Sequence, residues 1–313
     1  MNNRKIKILS VNLSKERGRK YPVKELVLNE SGINGDAHSG TTRQISIFEK
    51  SHSDYFRQLT KSREFESGEF AENLLVSGLE NTEVKEFDIF KINDAELEVT
   101  QIGKPFHRKF QEPGHYIMPH VGIFCRVKKP GTIKPGDIMT FIPKIFNILI
   151  ITLSDRASKG VYEDLSGLKI KEILNDYFPK TNWRYNIISK IIPDDAEMLK
   201  SIIQESKNNN TDIIITTGGT GIGKRDITVD TIKPMLDKEI PGIMEMIRLK
   251  YGMEAPNALL SRGVAGVIDN SLIYTLPGSV KAVKEYMQEI LKTLQHLIYM
   301  LNDIDKHSQN KKL

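Results

Sequence analysis

Two stretches of this chain, FNILIITLS (146–154) and TDIIITT (211–217), are nearly unbroken runs of apolar and β-branched residues. A strand with one wet face alternates apolar and polar residues. A strand covered on both faces does not, and such strands belong to parallel sheets sandwiched between helices. A third run, SLIYTL (271–276), is similar, and a further strand is expected at 185–191. Between them, helical periodicity is expected at 167–177, 196–207, 231–236, 242–250 and 282–301. Strand and helix in alternation predict an open α/β domain with a mostly parallel sheet. Ligands of such sheets bind beyond the carboxyl ends of the strands, which directs attention to the loops at 154–166, 217–226 and 276–280.

The first 142 residues have a different texture. KIKILSVNL, RQISIFE, DIFKIN, AELEVTQI, GIFCRV and IMTFI are short strand-like runs separated by Gly, Pro, Asn or Asp. They predict a β-rich barrel or sandwich with one helix near 50–60, and PGTIKPGD (130–137) reads as a turn. The expected organisation is a β domain over 1–142, a linker at 143–146, an α/β domain over 147–305 and a disordered polar tail at 306–313.

Composition narrows the function. A single cysteine, Cys125, excludes an internal disulfide framework and points to a reducing compartment. The net charge of +5 is spread over both halves, without the basic stripe and interleaved aromatics that nucleic acid requires. The chain lacks a run of roughly 20 apolar residues that would cross a membrane, and the apolar run at 6–11 is too short for a signal-peptide core. The expectation is a cytoplasmic enzyme or binding protein for a small anionic ligand, acting on neither nucleic acid nor membrane.

TTGGTGIGKRD (216–226) is the strongest chemical signal. Gly218, Gly219 and Gly221 let the backbone approach a phosphate and offer N–H donors. Thr216, Thr217 and Thr220 add hydroxyls, Lys224 and Arg225 add positive charge, and Asp226 suits a hard cation such as Mg²⁺. The pattern is not the GxxxxGK[ST] phosphate loop. Ser154, Asp155 and Arg156 end a buried strand, where Arg156 either meets a phosphate or anchors its loop. Asp164 and Ser166 fit the same loop or a helix cap. Pro277, Gly278 and Ser279 form a strand-to-helix turn whose Ser279 is both a cap and a potential anion ligand. Glu245, Ser261 and Arg262 are read equally well as site residues and as solvated surface. Asp194, in IIPDD, taken alone is more often a turn or cap residue, with Asp195 its competitor.

GGTGIGKRDIT resembles the signature of the molybdopterin adenylyltransferase family, of the MogA and MoaB type and including the G domain of gephyrin. LSDRASKGVYEDLSG (153–167), IIPDD (191–195), PGIMEMIR (241–248), LLSRGVAGV (259–267) and LPGS (276–279) resemble its other motifs, in order. The resemblance implies transfer of AMP from ATP to the phosphate of molybdopterin with Mg²⁺. It implies that Asp194 and Asp226 are the catalytic, metal-holding carboxylates. It places Gly218, Gly219, Thr220, Gly221, Lys224, Arg225, Ser154, Asp155, Arg156, Glu245, Ser261, Pro277, Gly278 and Ser279 around the ligands. A trimer and molybdoenzyme or cofactor-pathway partners are implied in the same way.

GINGDAHSGTTRQIS (32–46), ESGEFAENLLVSGL (67–79), LEVTQIGKPFHR (97–108) and MPHVGIFCRV (118–127) resemble the MOSC domain of molybdenum cofactor sulfurases. This implies a barrel that binds or hands on the pterin, with Asp36, His38, Arg43, Glu72 and Asn73 lining a pocket and His38 and Arg43 meeting the ligand. His38, His107, His115 and His120 are scattered histidines of the kind that usually serve structure. The family's sulfur-carrying cysteine is replaced by Phe106, so thiolate chemistry is not expected. Two alternatives remain: a non-catalytic cofactor carrier or scaffold, and the equivalent enzyme of a tungsten pathway.

Overall fold

The computed structural model describes residues 5–61, 63–79, 83–103 and 113–304. Phe106, His107, the side chain of His115 and the tail at 306–313 lie outside them. The chain forms two units, Met1–Lys144 and Ile145–Leu313. Among the described residues no helix is long and apolar enough to cross a membrane.

The first unit is built on strands β1 (Ile6–Leu13), β2 (Tyr21–Val23), β3 (Leu26–Asn29), β4 (Gly32–Ile33), β5 (Ile45–Glu49), β6 (Leu74–Ser77), β7 (Ile89–Ile92), β8 (Ala95–Ile102), β9 (Ile123–Lys129), β10 (Gly131–Ile133) and β11 (Ile138–Ile142). β1 pairs with both β6 and β11, which closes the ring β1-β11-β7-β8-β9-β5-β6 into a seven-stranded barrel. Closure removes the exposed edges that an open sheet would leave. Ile8, Ile45, Ile47, Leu74, Phe90, Leu97, Val99 and Cys125 fill the interior. A second apolar cluster of Phe48, Phe70, Met118 and Phe124 lies where α1 (Lys50–Thr60) and α2 (Pro113–Val121) occur. Segment 130–137 is only partly a turn. Residues 131–133 pair with β3 in a small sheet, β10-β3-β4, and the turn proper is KPGD, where Gly136 takes φ +93°.

The second unit carries β12 (Phe146–Leu153), β13 (Tyr185–Ile192), β14 (Ile213–Thr217), β15 (Lys238–Glu239), β16 (Ala265–Ile268) and β17 (Ser271–Leu276) in the order β13-β12-β14-β17-β16-β15. The first four are parallel, and β16 and β15 are antiparallel. Its helices are α3 (Asp155–Ser158), α4 (Leu165–Thr181), α5 (Ala196–Asn208), α6 (Thr228–Ile232), α7 (Pro241–Gly252) and α8 (Val280–Leu301). Leu149, Ile151 and Leu153 of β12 pack with Leu199 and Ile203 of α5 and Val229 and Ile232 of α6. α4 and α8 pack together, and each also contacts the sheet, at β12 and β17 respectively. Covering both faces explains why β12, β14 and β17 show no alternation. The helix expected at 231–236 begins earlier and ends earlier. Pro234 lacks an N–H, so α6 stops at Ile232 and a 3₁₀ turn follows over Lys233–Met235.

Candidate active site

β14 ends at Thr217, and the chain then makes a turn that only glycine fits. Gly218 has φ +99° and Gly219 φ +65°. A Cβ on Gly218 would sit 2.4 Å from the carbonyl oxygen of Leu153, and one on Gly219 would sit 2.4 Å from Thr228 Oγ1. The close approach is locked by Thr228, whose hydroxyl donates to Gly218 O at 2.8 Å. The loop then returns Asp226, whose Oδ2 accepts the N–H of Gly223 at 2.7 Å. A Cβ on Gly221 would come within 2.8 Å of that same oxygen. The later glycines therefore make room for the Asp226 carboxylate.

This loop shares one cleft of about 560 Å³ with the ends of the neighbouring strands. Ser154, Asp155, Arg156, Asp194, Gly219, Lys224, Arg225, Asp226 and Gly278 all line it. The parallel register sets the ends of β12, β14 and β17 side by side, and β13 brings in Asp194.

Asp194 and Asp195 have different duties. Asp195 caps α5, accepting the N–H of Met198 at 2.8 Å. Asp194 is released to face the cleft. Its backbone N–H donates to Asp155 Oδ1 at 3.1 Å. Burial first, and then the charge of Asp155, raise the pKa of Asp194; Asp226 adds to the effect, and Arg225 opposes it. Asp155 also pairs with Arg225 at 3.6 Å. Three carboxylates thus crowd one side of the cleft with one arginine between loops. Arg156 lies over the ring of Tyr162 at 5.2 Å, and neither Arg156 nor Lys224 has an acidic partner among the described residues. These two cations suit an anionic ligand.

Several of the expected residues also build the loops. Thr220 is buried, with its carbonyl taken by the N–H of Arg262 and its hydroxyl beside Ser261 at 3.5 Å. Thr216 lies inside the sheet, and Thr217 spends its hydroxyl on Pro277 O at 2.9 Å. Gly218 also stays behind the cleft wall, where its N–H donates to Leu276 O. Ser279 caps α8 through Ala282 N, and Ser154 caps α3 while its Oγ meets Tyr162 OH at 2.8 Å. Asp164 caps α4 and receives the hydroxyls of Thr152 and Ser166. Glu245, exposed on α7, and the half-buried Ser261 do not line the cleft. Tyr162 and Glu163 do, and the sequence reading did not single them out, although an exposed aromatic within a ligand loop is itself a signal.

Among the described residues no group of three or more His, Cys, Asp or Glu is arranged to hold a metal ion by itself. The crowded carboxylates still fit Mg²⁺, which is commonly held by one or two carboxylates together with substrate phosphates.

In the first unit, Asp36, Glu72 and Asn73 are buried side by side with Lys20. They are bonded to one another's surroundings: Lys20 and Asn73 donate to Asp36 Oδ2, and Glu72 accepts the N–H groups of Gly68 and Phe70. Polar groups taken out of water need such partners, and these have them. His38 and Arg43 stay partly accessible. His38 Nδ1 is 3.3 Å from Asp36 Oδ1. Arg43 lies 5.9 Å from the Phe124 ring centre, and burial followed by the charge of Arg17 lowers its pKa.

Comparison with known proteins agrees with this architecture. Residues 149–296 match the family model described as "Probable molybdopterin binding domain", and residues 34–140 match the MOSC domain model. The molybdopterin adenylyltransferase of Helicobacter pylori strain J99 is 36% identical over 157 residues, which cover 50% of this chain and 87% of that protein. That of Pyrococcus furiosus is 37% identical over 161 residues, covering 50% and 91%. Gephyrin of Dictyostelium discoideum is 38% identical over 165 residues, covering 51% of this chain and only 23% of gephyrin. Through its second unit, the chain belongs to the molybdopterin-binding family of molybdenum cofactor biosynthesis proteins.

Proposed function

We propose that the second unit transfers AMP from ATP to the phosphate of molybdopterin. The observation that carries this reading is the convergence of Asp155, Asp194 and Asp226 with Arg156, Lys224 and Arg225 in one strand-end cleft. Curated relatives covered over most of their length bear the name of that activity.

In the reaction an oxygen of the pterin phosphate bonds to the α-phosphorus of ATP, the bond to the α–β bridging oxygen breaks, and pyrophosphate leaves. Both reactants are anions, so charge repulsion and leaving-group charge are the obstacles. Arg156 and Lys224 offset the phosphate charge, and the backbone N–H groups around Gly219 supply fixed dipoles. Asp194 and Asp226 would hold Mg²⁺, which when bound neutralises phosphate charge. The protein's own work is mainly alignment of the two phosphates.

The first unit binds the pterin or hands it on, with His38 and Arg43 as contacts. The half-buried Arg43 beside Arg17 supports this, since neighbouring cations are relieved by an anion. Self-association as a trimer belongs to the same proposal. Leu249 on α7 and Met253, Leu259 and Leu260 just beyond it are exposed apolar residues that a subunit contact would cover. Cytoplasmic activity and delivery to a molybdoenzyme complete it. Purified full-length protein given molybdopterin, ATP and Mg²⁺ should release pyrophosphate only when the pterin is present, and sedimentation should give about three times the chain mass. Pterin-independent release would count against the assignment.

A further inference from the structure

We infer that Arg262 is a positioning residue for the transfer site: its guanidinium holds both ends of the segment 221–226 and so fixes where Asp226 is presented. The inference rests on the adenylyl-transfer reading. Arg262 Nε donates to Gly221 O at 2.8 Å, and its Nη2 donates to Asp226 O at 3.2 Å. Its backbone N–H takes Thr220 O at 3.0 Å. The opposite edge of the guanidinium forms a fork with Asp230 on α6, with both bonds at 2.9 Å. One side chain thus joins the start of the loop, its end and the helix that follows.

The loop needs this. Ile222, Gly223, Lys224 and Arg225 are exposed, so no apolar packing sets their path. Polar anchors do so instead: the Gly223 N–H on the Asp226 carboxylate within the loop, and Arg262 across it. Arg262 does not itself line the cleft. Its ion pair with Asp230 has side chains 38% and 67% exposed, and a pair so open to water adds little stability. What the pair does is orient the guanidinium so that its remaining N–H groups meet two carbonyls. A lysine has no planar fork and cannot satisfy both carbonyls while paired with Asp230.

The test is steady-state kinetics on the full chain with molybdopterin, ATP and Mg²⁺, comparing wild type, Arg262→Lys, Arg262→Ala, Asp230→Asn and the Arg262→Ala/Asp230→Asn double variant. Misplacement of a catalytic group by about 1 Å costs on the order of 10²-fold in rate. Arg262→Ala and Arg262→Lys should lose kcat on that scale, while KM for ATP stays within about threefold. Melting temperature should shift by only a few degrees, roughly, as for other exposed pairs. Asp230→Asn should lose less, and the double variant should be no worse than Arg262→Ala, because Asp230 acts through Arg262. Added methylguanidinium should restore part of the Arg262→Ala rate. Near-wild-type kcat in Arg262→Ala, or full rescue by Arg262→Lys, overturns the inference. A wild-type protein that makes no adenylylated pterin defeats the transfer reading, and this inference with it. Active wild type with an unaffected Arg262→Ala defeats the inference alone.

Discussion

Asp155 and Asp194 are joined by a hydrogen bond: the Asp194 N–H donates to Asp155 Oδ1 at 3.1 Å. The two residues end adjacent parallel strands, so this pairing ties the first loop to the second, and Asp155 also reaches Arg225 of the third. Asp155→Ala removes both side-chain contacts. It should lower AMP transfer on the order of tenfold or more through misalignment. Asp155→Asn retains an acceptor for the Asp194 N–H and should lose less. Equal losses in the two variants, measured as kcat, would show that the charge and not the bond matters.

The neighbours Asp194 and Asp195 should separate function from stability. Asp195→Ala removes the α5 cap and should cost about 1 kcal/mol of stability while leaving AMP transfer largely intact. Asp194→Ala should abolish transfer with a stability change below about 1 kcal/mol, the scale of one hydrogen bond. Denaturant unfolding and activity assays on both variants check this, and the reverse pattern would exchange their roles.

Gly218→Ala should destabilise the second unit. At φ +99° with Leu153 O only 2.4 Å from the new Cβ, it is both strained and blocked, and strain of this kind costs about 1–3 kcal/mol. Gly278→Ala should fold normally, because its Cβ would meet only Gly218, at 3.4 Å from its Cα and 3.8 Å from its N. Thermal unfolding of the two variants gives the comparison, and equal melting temperatures would contradict the packing argument.

The buried cluster of the first unit predicts a pH response. Burial pushes the Glu72 carboxyl up from 4.5 to about 7, although backbone N–H groups and Lys20 pull the other way. A group whose folded pKa is raised binds more protons in the folded than in the unfolded state between the two values. Its contribution is therefore fully present below 4.5 and is lost as pH rises through about 7. Calorimetry of the full chain between pH 5 and 8 should show one transition losing on the order of 2–3 kcal/mol, and Glu72→Gln should flatten that slope. An unchanged slope in Glu72→Gln would assign the pH dependence to another group.

Much of this was legible because burial writes itself into local sequence. β12, β14 and β17 carry no alternation, since helices cover both faces, and their ends announced the three loops of the cleft. The glycine loop was readable because its backbone demands glycine at 218 and 219. The short strands β2, β3 and β4 were not, since two to four residues hold too little pattern, and β10 was read as turn because it adjoins KPGD. α2 was missed because Pro119 lies within it. In the site, Thr220 reads as a ligand in the sequence and is buried within the loop in the structure, whereas Asp155 and Arg262 act on partners 39 and 41 residues away, a distance that local sequence does not span.

The central claim is that Asp226 and its cleft catalyse AMP transfer to molybdopterin. The direct measurement supplies ATP labelled at the α-phosphate, Mg²⁺ and molybdopterin to wild type and to Asp226→Ala. The account predicts label in the pterin product with wild type, and a loss on the order of 10²-fold or more in the variant. Absence of label from the pterin with folded wild type, or transfer at the wild-type rate in Asp226→Ala, would contradict it.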